Sequence, residues 1–122
     1  AARTIRELAY CPYSEFRVGA AILDENGNVH VGCNVENAAY PLGNCAEASA
    51  IAAMIAAGGQ RIVTIAVAGG GSDKTSACTP CGGCRQRIHE FSDETTRIIV
   101  KDDDSEWHTF TMEELLPASF HL

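Results

Sequence analysis

Cys45-Ala46-Glu47 and, further along, Pro80-Cys81-Gly82-Gly83-Cys84 constrain the fold most, because the two motifs make chemical sense only side by side. Each stands where a helix is expected to begin. Helix starts carry partial positive charge and free N–H groups, which favour thiolate over thiol. Cys81 and Cys84 are three apart and share one helix face. Two helix starts converging on one ion would supply Cys45, Cys81 and Cys84. Three protein ligands leave the fourth tetrahedral position of a zinc ion open to water, the arrangement of catalytic rather than structural zinc. Glu47 lies two residues from Cys45, about 200° around an ideal helix, so spacing alone does not aim it at the metal. A carboxylate stabilising a helix start explains it almost as well.

A closed structural zinc site is the alternative, with Cys78 as fourth ligand of a Cys-x-x-Cys-x-x-Cys run. Cys78 precedes Thr79-Pro80, outside the helix start, which weighs against it. The six cysteines could also form a secreted disulfide scaffold. Yet three have metal-type spacing, and Cys11, Cys33 and Cys78 have no pairing logic. They read as small buried hydrophobes in a reducing compartment.

Thr4 to Ala9 reads as the tail of a helix stopped by Pro12. Phe16 to Leu23 is strand-like, Asn26-Gly27 carries a hairpin turn signal, and Val29 to Val35 is the returning strand. Asn37 to Asn44 is a loop broken by Pro41 and Gly43. Asn44 is the expected N-cap of an Ala-rich helix from Cys45 to Ala57, ended by Gly58-Gly59. Arg61 to Ala68 is a buried strand, and a glycine-rich loop starts at Gly69. Thr79 is expected to cap the next helix, with Pro80 at its first position, running to about Phe91. Arg97 to Lys101 and Trp107 to Phe110 are further strands. Thr111-Met112-Glu113-Glu114 is a capping box opening a last helix, halted by Pro117. The order suggests one mixed sheet with helices on its faces, in a single domain.

The formal charge of −7 disfavours polyanionic nucleic acid and anionic membranes, and leaves small uncharged substrates open. The longest apolar-rich stretch, Ala46 to Ala57, is too short to span a bilayer. Ala1 is not a translated start, and no charged-then-apolar leader opens the sequence as given. His30, His89, His108 and His121 match no motif and read as surface or helix-face residues.

From about Ala9 to Phe120 the chain resembles the zinc-dependent cytidine deaminase family in its small homotetrameric form. The resemblance rests on five motifs in order. They are residues 12–21 (PYSEFRVGAA), 32–40 (GCNVENAAY), Cys45-Ala46-Glu47, 80–86 (PCGGCRQ) and 115–120 (LLPASF). It implies a three-layer α/β/α fold with a mixed five-stranded sheet, residues 1–122 forming one catalytic domain. It also implies hydrolysis of cytidine or 2′-deoxycytidine to uridine or 2′-deoxyuridine and ammonia, in cytoplasmic pyrimidine salvage.

By that resemblance Cys45, Cys81 and Cys84 hold Zn2+, and Glu47 moves protons from water to ring N3 and the departing amine. The backbone near Ala46 and Thr79 would orient the base. Asn34 and Glu36 alternate along a strand end and so project from one face; in the family such a pair binds the ribose 3′-hydroxyl. Phe16 would pack against the pyrimidine, although a core aromatic on a strand is the plainer reading from sequence. Tyr40 and Phe120 match residues given to a neighbouring subunit's pocket, so the implied assembly is a homotetramer.

This chain departs from the family at Ala48, where an Arg commonly offsets the thiolate charge. Arg85, next to Cys84, is the expected substitute. Pro41 and Asn44 also depart from the usual loop. Three other readings compete: a deaminase of the same fold acting on another aminopyrimidine nucleoside such as blasticidin S, a polynucleotide editor, and a non-catalytic zinc module. The acidic balance and the lack of a basic, aromatic-rich stripe weigh against the editor.

Overall fold

Alternating apolar residues and an Asn-Gly turn build the first hairpin. In the computed structural model, which describes residues 1–70, 75–76 (backbone only), 80–101 and 106–120, β1 (Arg17–Asp24) pairs antiparallel with β2 (Val29–Cys33). Gly27 has φ +82°, the left-handed conformation that the turn demands. β3 (Ile62–Gly70) lies antiparallel to β1 on its other side. β5 (Arg97–Lys101) joins β3 in parallel, and β6 (Trp107–Thr111) closes the far edge antiparallel. The sheet order is β2-β1-β3-β5-β6, the expected mixed five-stranded sheet. A short strand absent from the sequence reading, β4 (Thr75–Ser76), folds back on Gly69 and Gly70.

The helices take opposite faces because two glycines let them. Gly19 pairs with Cys33 and Gly32 with Ala20, so Gly19 and Gly32 face opposite sides. A Cβ on Gly19 would meet the backbone of α1 (Ala2–Arg6), 2.1 Å from the Ala2 carbonyl oxygen. A Cβ on Gly32 would meet α2 (Ala46–Ala56), 2.4 Å from the Ala50 nitrogen. α3 (Gly82–Glu90) crosses over between the parallel strands β3 and β5 and packs beside α2. α4 (Met112–Leu115) touches α3, and its predicted capping box is complete, Thr111 Oγ1 accepting from the Glu114 N–H and Glu114 from the Thr111 N–H. Between sheet and helices lies the core of Ile22, Ala50, Met54, Ile65, Ile88 and Ile98 with their neighbours. Small alanines on α2 permit this close approach.

Several boundaries differ from expectation. The first helix runs Ala2–Arg6 rather than Thr4 to Ala9. β2 stops at Cys33 instead of Val35, because Asn34 turns its side chain onto β1: Oδ1 accepts from the Val18 N–H at 2.8 Å, and Nδ2 donates to the Phe16 carbonyl at 2.9 Å. Within the expected loop, Tyr40–Leu42 form a 3₁₀ turn. The caps of α2 and α3 also move, to Cys45 and Cys81. Thr79, the expected cap, and Cys78 lie outside the described residues, as does His121.

His30 is not a surface residue. Its Nε2 lies 2.6 Å from Oδ2 of Asp24, which is only 2% exposed. Asp24 Oδ1 also accepts the Asn26 and Asn28 N–H groups, so this one carboxylate organises the hairpin. His30, ahead of those backbone groups, holds the carboxyl below its ordinary value of 3.8. A lowered carboxyl contributes stability that is fully present above that ordinary value and is lost as pH falls through the folded one. Asp24→Asn should therefore cost several degrees of melting temperature at pH 7, and the gap to wild type should shrink on acidification below 3.8. Thermal unfolding at neutral and acid pH checks this; a gap that widens with acid would refute it.

Candidate functional site

Cys45 is the N-cap of α2, with extended backbone (φ −78°, ψ 159°), and Glu47 sits in the first turn. Being the cap, Cys45 is not bound by the 100° step of the helix, so its thiol and the Glu47 carboxylate meet where the spacing did not predict it. Cys84, in the first turn of α3, completes the cluster: the two sulfurs and a carboxylate oxygen lie within 4.8 Å of one another. Cys84 is fully buried and Glu47 only 4% exposed.

Cys81 was expected as a third ligand, but its thiol is not in that cluster. It caps α3, its Sγ accepting the Cys84 N–H at 3.5 Å, and is exposed at the helix start. Its backbone is extended there (φ −66°, ψ 170°), as at Cys45, and Cys84 three residues on is fully buried. Among the described residues, the five cysteines Cys11, Cys33, Cys45, Cys81 and Cys84 are free thiols.

The protons in this cluster are shared unequally. A hydrogen bond from Cys84 pulls the Cys45 thiol down to about 6, helped by the Ala48 N–H and the charge of Arg87 and opposed by burial. The same bond, together with burial, pushes Cys84 up. Cys45 is thus the thiolate and Cys84 the donor. Burial raises Glu47 to about 7; the Cys45 charge adds to this, while its own N–H and Arg87 oppose. A carboxyl poised near neutrality can both take and give a proton, as general acid–base chemistry requires.

Arg85 does not offset the thiolate charge, contrary to expectation. Its Nε donates to the Pro80 carbonyl and its Nη1 to the Leu115 carbonyl, both at 2.8 Å, tying the start of α3 to the end of α4. The reason is helical geometry: Arg85 follows Cys84 directly and faces about 100° away, whereas Arg87, three residues on, returns to its side. Arg87 Nη1 lies 3.9 Å from Cys84 Sγ. The sequence held that signal in the i, i+3 spacing.

A cleft of about 520 Å³ opens in front of the cluster and brings together Asn34, Glu36, Tyr40, Cys45, Ala46 and Glu47. Glu36 is held by the Tyr13–Ser14 turn, its Oε1 accepting the Tyr13 and Ser14 N–H groups at 3.0 and 3.2 Å and its Oε2 the Ser14 hydroxyl. The Ser14 hydroxyl leads the interactions that hold Glu36 below its ordinary range, and so ionised. Asn34, bonded to β1 on both amide atoms, keeps one N–H and one lone pair for a ligand. Tyr40, 76% exposed, stands edge-on to Tyr13 with ring centres 6.1 Å apart. Phe16 is half-buried and Phe120 67% exposed, and neither lines this cleft. The roles of Tyr13 and Ser14 as holders of Glu36 were not legible from the motif that contains them.

Residues 1–101 match the family model of the cytidine and deoxycytidylate deaminase zinc-binding region. The cytidine deaminase of Sporosarcina psychrophila is 39% identical over 115 residues, spanning 94% of this chain and 82% of that protein. That of Halalkalibacterium halodurans is 41% identical over 115 residues, spanning 94% and 85%. Among solved structures, the cytidine deaminase of Burkholderia pseudomallei superposes with a TM-score of 0.87 at 40% identity, covering 98% of this chain and 93% of that one. The Mycobacterium tuberculosis enzyme gives 0.83 at 36% identity, covering 99% and 92%.

Proposed function

From the premise that this chain belongs to the cytidine and deoxycytidylate deaminase zinc-binding family, we propose that it hydrolyses cytidine and 2′-deoxycytidine to uridine and 2′-deoxyuridine, releasing ammonia. The single observation that carries the reading is the Cys45–Glu47–Cys84 cluster, with Glu47 and Cys84 buried and Cys45 partly so, in a cleft that also holds Asn34 and Glu36.

The donor set suits zinc, for which soft thiolates are preferred ligands. Cys45 and Cys84 would hold the ion, and Cys81 stands at the rim of the same helix start as the third sulfur. When bound, zinc makes water acidic enough to lose a proton near neutral pH. Glu47 would take a proton from the water and give it to ring N3 as the water oxygen adds to C4. It would then take the second proton from the new C4 hydroxyl and give it to the amine as the C4–N bond breaks, leaving the C4 carbonyl. Its burial keeps the proton from exchanging into bulk water. The Ala46 backbone, and that of Thr79 by family resemblance, orient the base. Asn34 and Glu36 hold the sugar hydroxyl.

A nucleoside fits better than a nucleotide. The cleft is lined by two carboxylates, Glu36 and Glu47, and by no Lys, Arg or His among the described residues, so a phosphate would meet repulsion. Phe16 is assigned to pyrimidine packing on the family pattern. Tyr40 and Phe120, both largely exposed, are assigned to a neighbouring subunit's pocket in a homotetramer. Residues 1–122 are taken as one catalytic domain of pyrimidine salvage, working in the cytoplasm. Free thiols support a reducing compartment, and no helix among the described residues is long and apolar enough to cross a membrane.

The test is metal content together with the absorbance of cytidine. One zinc per chain and prompt loss of the cytidine band are expected, with deoxycytidylate turned over far more slowly. Zinc-loaded protein that leaves cytidine unchanged would defeat the reading. Within it, Ser14→Ala should raise KM for cytidine roughly tenfold, about 1.4 kcal/mol, with kcat little altered. An unchanged KM would show that Glu36 does not need this hydroxyl.

A further inference from the structure

With a metal in place of the thiol protons, two thiolates and a carboxylate crowded into a mostly dry site would carry more negative charge than one divalent ion neutralises. Such charge needs a cationic or hydrogen-bonding partner beyond the ligands themselves. α2 offers the Ala48 N–H but no cation: between Ala46 and Ala56 it contains no Lys or Arg, and the residue after Glu47 is Ala48. Arg85 is spent on the Pro80 and Leu115 carbonyls.

Arg87 is placed differently. Its Nη1 reaches Cys84 Sγ at 3.9 Å, a distance suited to N–H···S contact. The guanidinium has room because Gly83 has no side chain: a Cβ there would stand 3.1 Å from Nη1 and 4.0 Å from Cys81 Sγ. The head group therefore lies over the first turn of α3, on the side where both Cys81 and Cys84 present their sulfurs. Ala48 and Arg87 line the same crevice between α2 and α3, together with Ile51, Ala52 and Phe91. The methyl of Ala48 leaves this space to a side chain arriving from α3.

We propose that Arg87 is the positioning residue that offsets the thiolate charge of this site, reaching Cys84 from α3 across the space left by Ala48 and Gly83. It donates to sulfur, draws electron density from the ligands, and so keeps the bound metal a strong enough acid for the reaction. This inference rests on the deaminase reading above.

The experiment compares wild type with Arg87→Met, which keeps an apolar stem in the crevice, and with the double variant Arg87→Met/Ala48→Arg, which returns a guanidinium from the other wall. Each is loaded with zinc for kinetics and zinc release to a chelator, and with cobalt(II) for spectroscopy. Arg87→Met should lose about 10- to 100-fold in kcat or zinc affinity with KM for cytidine little changed. Its thiolate-to-cobalt charge-transfer band should move to lower energy, because sulfur without its donor is more electron-rich. The double variant should recover both the band and much of kcat.

A kcat deficit without a band shift would make Arg87 merely structural and overturn the proposal, as would wild-type kcat and an unmoved band. If Arg87→Met fails to fold, Arg87→Lys carries the test: an intermediate band shift and kcat support the role, and an unmoved band overturns it. Wild-type protein that takes up neither metal would overturn the deaminase reading as well. An active, metal-loaded wild type beside an unperturbed Arg87 variant sinks only the role of Arg87.

Discussion

Glu47→Gln is expected to lower kcat by about 10⁴-fold, the upper end for loss of a general acid–base, while zinc stays bound. The substitution keeps volume and shape at a site only 4% exposed, so the cleft and the two thiols should be undisturbed. It removes only the ability to take and return a proton. Metal analysis beside steady-state kinetics checks both halves, and near-normal turnover in the zinc-loaded variant would end the catalytic assignment.

The same group gives a pH signature. Burial raises Glu47 from an ordinary 4.5 to about 7, and a cation bound nearby would draw it down again. Activity that needs ionised Glu47 should therefore rise with pH through a break at or below 7, and the residual activity of Glu47→Gln should lack that limb. In chelator-stripped protein the sign for stability is opposite to that of Asp24. The native state keeps a proton that the unfolded chain has released, so stability falls as pH rises from 4.5 toward 7. Glu47→Gln should flatten that decline.

Gly32→Ala should be nearly as damaging by an unrelated route. The added methyl would stand 2.4 Å from the Ala50 nitrogen, 2.7 Å from the Ala46 oxygen and 2.8 Å from the Ser49 carbonyl carbon. All three are backbone atoms of α2, which cannot rotate aside as a side chain can. Overpacking typically costs about 1–3 kcal/mol, and a clash with backbone belongs at or beyond the top of that range. Against a total stability of about 5–15 kcal/mol this is a large share. The helix that must lift carries Cys45 and Glu47, so zinc affinity and kcat should fall further than melting temperature alone predicts. Gly82→Ala is the control, because a Cβ there meets nothing within 4 Å, and its melting temperature should match or slightly exceed wild type. Equal melting temperatures for the two variants would refute the close approach of α2.

Local chemistry made much of this legible in the sequence. The Asn-Gly turn identified the β1–β2 hairpin, and the Thr111–Glu114 pattern identified the start of α4. The cysteine spacing located two helix starts that meet. What stayed hidden depended on which of two nearby residues takes the cap position at each helix start. Asn44 and Thr79 are better caps by propensity than Cys45 and Cys81, yet the cysteines take the cap positions of α2 and α3. The caps stand one residue on at α2 and two at α3, and with them Glu47 lies in the cluster while Cys81 lies outside it. Arg85 adjoins Cys84 in sequence yet turns to the Pro80 and Leu115 carbonyls, while Arg87, three residues on, returns to the sulfur. The pairing of His30 with Asp24 spans a hairpin turn, and no motif announces it.

Asn34 stands at once in the sheet and in the cleft. Its main-chain N–H bonds the Val18 carbonyl at 3.1 Å, and its side chain completes the pairing with β1 that the backbone of β2 abandons. A residue so employed is poorly evolvable: any change that alters how it meets a sugar also unfastens the edge of the sheet. Variation in sugar preference among descendants of such a chain would have to pass through the Tyr13–Ser14 turn and Glu36 instead, where a hydroxyl or a carboxylate can be exchanged without loosening a strand.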